Sequence, residues 1–143
     1  MAILACCMTV TVQAANLSSP ASFWSLLRGD SLAQTAHLAV PEPKTLAELK
    51  SLLQKNGKLT LVVFGAAWCG PSRFAYAYFD QKVTAAGVPG IWVDIDKNEQ
   101  AANAYEFHAT PTFKVLDKTG AEKWSMTQGA LPAIDKGIEF IKK

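Results

Sequence analysis

From residue 45 onward the alternation of apolar and polar positions is sharp enough to lay out an order of elements. Leu46, Leu49, Leu52 and Leu53 recur at helical spacing. Thr45 and Glu48 form a capping box ahead of them, and Asn56-Gly57 stops the helix. The run LTLVVF at 59–64 is continuously apolar, which predicts a strand buried on both faces. After the turn at 68–72, residues 74–83 carry a second helix, with Phe74 and Tyr78 on its core side. GIWVDI at 90–95 is a second strand, and Asp96 with Glu99 caps a helix running to about Phe107. Residues 112–116 and 121–126 flank Asp117-Lys118-Thr119-Gly120 and read as a hairpin. Pro132 opens a last helix at its first position, with Ile134, Ile138 and Ile141 facing inward.

This order, α-β-α-β-α-β-β-α, belongs to an α/β domain: a central mixed β-sheet with helices on both faces. Two right-handed β-α-β crossovers are expected, with the hairpin adding antiparallel strands. The turn at 68–72 then lies at the C-terminal end of the first strand, the edge where open α/β sheets place their sites. Residues 15–44 form an N-terminal extension. Its Phe23, Trp24, Leu26 and Leu27 are more apolar than a free linker needs, and Pro41-Glu42-Pro43 reads as an extended linker.

Residues 1–14 differ in kind. They are uncharged and hold an apolar stretch at 2–12, the length of a signal-peptide h-region and too short to span a bilayer. Small residues at Val12-Gln13-Ala14 place a cleavage point after Ala14, although a basic n-region is absent. The expectation is an exported protein, periplasmic or extracellular. A weak lipobox at Ile3-Leu4-Ala5-Cys6 would instead anchor the chain to a membrane through acylated Cys6. Removal of the leader takes Cys6 and Cys7 with it and leaves Cys69 as the sole sulfur of a cysteine, a reactive free thiol or an intermolecular partner.

Charge narrows the classes further. The net charge of +2 arises from 14 basic and 12 acidic residues interspersed along 143 positions, which points away from nucleic acid as a partner. Two His and three Cys make no zinc spacing, and no phosphate-loop or dinucleotide motif is present. No metal or cofactor is expected.

The chemistry concentrates at Trp68-Cys69-Gly70-Pro71-Ser72. Together with Ala109-Thr110-Pro111-Thr112 ahead of a strand and Gly129-Ala130-Leu131 ahead of the last helix, it makes residues 45–143 resemble the thioredoxin family. The resemblance implies a thioredoxin-like fold and thiol-disulfide exchange with Cys69 as nucleophile. A helix N-terminus there favours thiolate over thiol through its unpaired amides and dipole, and Arg73 and the Ser72 hydroxyl push the same way. By the same likeness Pro111 is the family's cis-proline and Thr110 the residue whose backbone pairs with an extended substrate. Trp68, Gly70 and Pro71 complete the substrate groove. His108 stands as a candidate proton carrier.

Four positions depart from the family pattern. The resolving Cys is Ser72, the buried acid falls at Val63, a nearby Lys falls at about Trp92, and the helix-kinking Pro falls at Ala77. With one sulfur, a mixed disulfide persists until an external thiol arrives. Ser72 therefore marks either a natural monothiol working through mixed disulfides with protein or glutathione, or a trapping replacement in a dithiol enzyme. The expected partners are protein or peptide thiols and disulfides, with glutathione as a possible co-substrate. The alternative from another class is a non-catalytic module that uses the same scaffold to bind peptides or a protein.

Overall fold

The computed structural model describes residues 40–127 and 129–143. The leader with Cys6 and Cys7, the apolar arm at 23–27 and His37 lie outside the described residues.

Among the described residues eight elements follow in the expected order. Helix α1, Leu46–Asn56, begins where Thr45 Oγ1 accepts from the Glu48 amide at 3.1 Å. Glu48 Oε2 in turn accepts from the Lys44 amide at 2.7 Å, one residue earlier than in the usual box. Gly57 ends the helix at φ 69°, a conformation that costs a residue with a Cβ about 1 kcal/mol or more. Strand β1, Thr60–Gly65, is buried at every position. Leu61 and Val63 point into one core layer, Val62 and Phe64 into the other.

Helix α2 spans Gly70–Ala86, longer at both ends than the sequence pattern indicated. Cys69 is its N-cap, and Pro71 in the first turn lacks only an amide that has no intrahelical partner there. The inward stripe is Ser72, Ala75, Phe79 and Val83. Phe74 and Tyr78 are therefore not on the core side: they are 51% and 38% exposed and pack on each other at 4.9 Å. A helical stripe through 75 and 79 turns 74 and 78 about 100° away from it.

Strand β2, Gly90–Asp94, is followed by helix α3, Glu99–Ala104. Its cap is Asn98, whose side chain accepts from the Ala101 amide at 3.0 Å, so Asp96 is not the cap and the helix stops short of Phe107. Asn98 is buried and also donates to the Pro43 carbonyl, which fixes it as the cap, whereas the exposed Asp96 carboxylate accepts from the Trp68 indole instead. Strands β3, Thr112–Leu116, and β4, Glu122–Thr127, form the hairpin. Helix α4, Ala130–Lys142, is capped at Gly129, so Pro132 occupies its third position rather than its first. Ile134 and Ile138 are buried beneath it, with Ile141 packed at the margin.

The sheet order is β2-β1-β3-β4, with β1 parallel to β2 and antiparallel to β3. Among the described residues only one β-α-β crossover, β1-α2-β2, is present. The second expected one is a connection that never leaves the sheet edge, because β2 ends at Asp94 opposite Gly65 and β3 begins at Thr112 opposite Phe64. A six-residue α3 is about 9 Å long, too short to run back along a five-residue strand of about 17 Å. This topology puts Thr110-Pro111 on the same edge as Cys69.

Residues 40–44 belong to the packed structure rather than to a free linker. Val40 is buried in the layer beneath α2, and the Trp92 amide donates to the Pro41 carbonyl at 3.1 Å.

Candidate functional site

Cys69 is positioned by backbone on both sides. Its amide donates to the Ala66 carbonyl at 3.2 Å, closing the turn after β1, and its carbonyl accepts from the Arg73 amide at 3.1 Å as the first helical bond of α2. The sulfur is partly exposed and free. Across the edge, its Sγ lies 3.4 Å from the Thr110 carbonyl, and the Thr110-Pro111 peptide is cis. Pro111 is buried while Thr110 is half-buried.

The environment favours the thiolate. The largest influence holding the Cys69 pKa below the ordinary thiol value is hydrogen bonding from the Ser72 hydroxyl. The Thr110 side chain follows, burial opposes, and the Ser72 amide and the Arg73 charge add smaller effects in the same direction. Ser72 is fully buried, and its Oγ makes no hydrogen bond to a described group around the neutral thiol. The two facts describe different protonation states, since a thiol is a weak acceptor and a thiolate a strong one. The hydroxyl is thus an unsatisfied donor at rest that the thiolate satisfies. The Sγ contact to the Thr110 carbonyl favours the neutral form and works the other way.

The remaining expected residues fall into place unevenly. Gly70, Pro71 and Arg73 are exposed on the first turn of α2 beside the sulfur. Trp68 is 68% exposed, and its indole Nε1 donates to Asp96 Oδ2 at 2.8 Å, which ties the turn to the loop after β2. Its ring stands largely in solvent. His108 is exposed and makes no hydrogen bond to Cys69 among the described residues.

Val63 and Trp92 are direct register partners on β1 and β2, both in the layer under α2. The family's acid and Lys positions are neighbours here, and both are apolar. Trp92 lies over Gly65, where a Cβ would meet its ring carbon Cζ2 at 2.4 Å, and it stacks edge-on with Tyr76 at 4.9 Å. Ala77 is exposed on α2, away from the site's inward stripe.

Sequence reasoning missed a groove of about 210 Å³ beside the turn, walled by Ala66, Ala67, Tyr76 and Trp92. Its charged residues come from three separate segments: Glu42 before α1, Arg73 on α2, and Asp94 with Lys97 at the end of β2 and in the turn after it. No spacing in the chain could have signalled their convergence. Among the described residues no cluster of metal ligands occurs.

A thiolate-stabilising helix start facing a cis-prolyl loop at one edge of a mixed sheet defines a protein of thiol-disulfide exchange. The family described as Thioredoxin matches residues 40–141, and the chain belongs to the thioredoxin family. Its members are thiol-disulfide oxidoreductases that act on protein disulfides. A thioredoxin of Geodia cydonium is 37% identical over 89 residues, covering 61% of this chain and 83% of the relative. The reduced Schistosoma mansoni thioredoxin pre-protein superposes with a TM-score of 0.61 at 33% identity, over 71% of this chain and 93% of that one. A chain from a structure of the thiol resolving mechanism in yeast mitochondrial 1-Cys peroxiredoxin via glutathione/thioredoxin systems gives 0.63 at 27% identity, over 74% and 99%.

Proposed function

We propose that this protein performs thiol-disulfide exchange as a monothiol. The Cys69 thiolate attacks one sulfur of a substrate disulfide, forming a Cys69–substrate mixed disulfide and expelling the other sulfur as a thiolate. Ser72 cannot close the next step, because its oxygen cannot take the place of a second sulfur. An external thiolate attacks the mixed disulfide, carries the substrate sulfur away as a new disulfide and returns Cys69 as thiolate. The single observation that carries this reading is the buried Ser72 hydroxyl, unpartnered beside the thiol and the strongest influence toward the thiolate. Protein disulfides are the substrate class, laid as extended chain along Thr110-Pro111 with Trp68, Gly70 and Pro71 on the opposite wall. Glutathione is the co-substrate and no other cofactor takes part. The same chemistry describes a trapping form of a dithiol enzyme, in which the mixed disulfide is an end point.

The test is the pH dependence of Cys69 alkylation, with Cys69→Ala as control, followed by mass analysis of protein incubated with oxidised glutathione. A midpoint below that of a free thiol together with one glutathione on Cys69 is expected. A midpoint at or above the free value, with no adduct, would leave the scaffold as a peptide-binding module.

Export is part of the proposal. Cleavage after Ala14 would deliver the chain to a periplasmic or extracellular space, and acylated Cys6 would hold it at a membrane. Terminal sequencing of the protein recovered from cells distinguishes the two, and a start at Met1 would exclude both.

A further inference from the structure

We infer that the groove beside the Cys69 turn binds the amino-acid end of a small zwitterionic thiol, which is the external reductant of the mixed disulfide. The inference rests on the monothiol reading and names what completes it.

The argument is the distribution of charge within the groove. At its far end Lys97 Nζ lies 3.1 Å from Asp94 Oδ2 and 3.8 Å from Glu42 Oε2, one cation between two carboxylates. That end is net negative. At the near end stands Arg73, which makes no ion pair with a described residue and is close enough to Cys69 to lower its pKa. The groove is therefore dipolar, positive beside the sulfur and negative away from it. Its complement is a ligand carrying a carboxylate and an ammonium group, with the carboxylate toward Arg73. Asp94 is only 8% exposed, so the negative end is built into the wall rather than being a chance of surface side chains. Tyr76 adds to that wall: its hydroxyl is held neutral by burial first and by the Glu42 charge next.

The groove is also placed for the reaction. Ala66 and Ala67 immediately precede Trp68-Cys69, and Arg73 is one helical turn beyond Cys69, so both walls are continuous with the segment that carries the sulfur. Trp92 forms the floor because Gly65 leaves room for its ring. A thiol held there by its amino-acid end has its sulfur delivered to the mixed disulfide from the side opposite Thr110-Pro111. The substrate chain is then not displaced before it is released. The step is the exchange already written: the incoming thiolate forms a disulfide with the substrate sulfur, and Cys69 leaves as thiolate.

The test starts from full-length protein carrying Cys6→Ser and Cys7→Ser, whose Cys69 is converted with methyl methanethiosulfonate to its neutral methyl mixed disulfide. Return of the free Cys69 thiol, distinguished by acid quench and mass analysis from a Cys69 adduct of the incoming thiol, is followed against concentration for glutathione, cysteine, 3-mercaptopropionate, cysteamine and 2-mercaptoethanol, each corrected for its thiolate content. Glutathione or cysteine is expected to saturate, the lower half-saturating concentration identifying which of the two fits, while 2-mercaptoethanol stays linear. The ratio of zwitterionic to 2-mercaptoethanol rate within one variant removes any change in the reactivity of Cys69 itself. That ratio should fall on the order of tenfold in Arg73→Met, the loss of one charge-assisted hydrogen bond. It should recover in part in Arg73→Lys, and fall likewise in Glu42→Gln and in Ala67→Trp, which fills the groove. Linear kinetics for every thiol, or a ratio unmoved by the variants, would overturn the inference and leave the monothiol reading standing. Equal saturation by 3-mercaptopropionate would overturn it in favour of a simple anion site. Failure of Cys69 to form the methyl disulfide at all would overturn both.

Discussion

Ser72 has two opposite demands on one hydroxyl. It is buried without a partner around the thiol, a state that ordinarily costs about 1–3 kcal/mol, and it is the strongest stabiliser of the thiolate. Ser72→Ala should therefore raise the alkylation midpoint of Cys69 while leaving thermal stability at low pH equal or slightly higher. An unchanged midpoint would remove Ser72 from the site. Because the folded pKa of Cys69 is depressed, its thiolate contributes stability above the unfolded pKa, and that contribution is lost as pH falls through the folded value. In Ser72→Ala the gain in stability between neutral and alkaline pH should shrink. Ser72→Cys supplies the second sulfur and should turn a persistent mixed disulfide into one that is released without added thiol.

Gly65 and Trp92 form the other residue-scale unit. Gly65→Ala drives a Cβ into the indole and should cost about 1–3 kcal/mol by overpacking. Trp92→Leu alone loses ring contacts with Tyr76 and Phe79. In the double variant the two costs should fall short of their sum, because the clash is gone; strict additivity in a denaturation cycle would contradict the packing described.

At the scale of elements, the cap of α1 and the loop of the β3–β4 hairpin are the local devices most directly tied to sequence. Thr45→Ala removes an acceptor from the Glu48 amide and should cost about 1 kcal/mol in chemical denaturation, without altering Cys69 reactivity. Asp117 accepts from the Thr119 amide and hydroxyl and from the Ala121 amide. These bonds, the Thr119 hydroxyl first, hold its carboxyl far below the usual range. The hairpin should accordingly keep this support at mildly acidic pH and lose it only as pH falls through that depressed value. α3 marks where local signals give out: Asp96 and Asn98 are both good caps by residue type, and the choice was made by the Pro43 carbonyl, 55 residues away in the chain. The same holds for α2, where the spacing of the aromatic residues points Phe74 and Tyr78 inward and the packed fold buries Phe79 instead.

For the whole molecule, the short stretch before α1 is part of the fold. Val40 is buried, and the Pro41 and Pro43 carbonyls accept from Trp92 and Asn98. A chain beginning at 45 should be less stable than one beginning at 40 by at least about 2 kcal/mol, the burial of one Val, before either hydrogen bond is considered. Equal melting temperatures for the two chains would mean that residues 40–44 only lie against the domain.

Much of this protein was set by sequence alone. The element order, the burial of β1 on both faces, a cysteine at the start of a helix and the loop of Thr110-Pro111 follow from periodicity, capping chemistry and a motif held within a few residues. These are short-range properties, decided by neighbours along the chain. Tertiary structure decided the rest: that β3 runs antiparallel beside β1, bringing Thr110 to 3.4 Å from Cys69; that Val63 and Trp92 meet; and that Glu42, Asp94 and Lys97 gather opposite Arg73. Each depends on where distant segments cross the sheet edge, which is settled by helix length against strand length and by the space Gly65 leaves open. No residue carries that information in its own sequence neighbourhood.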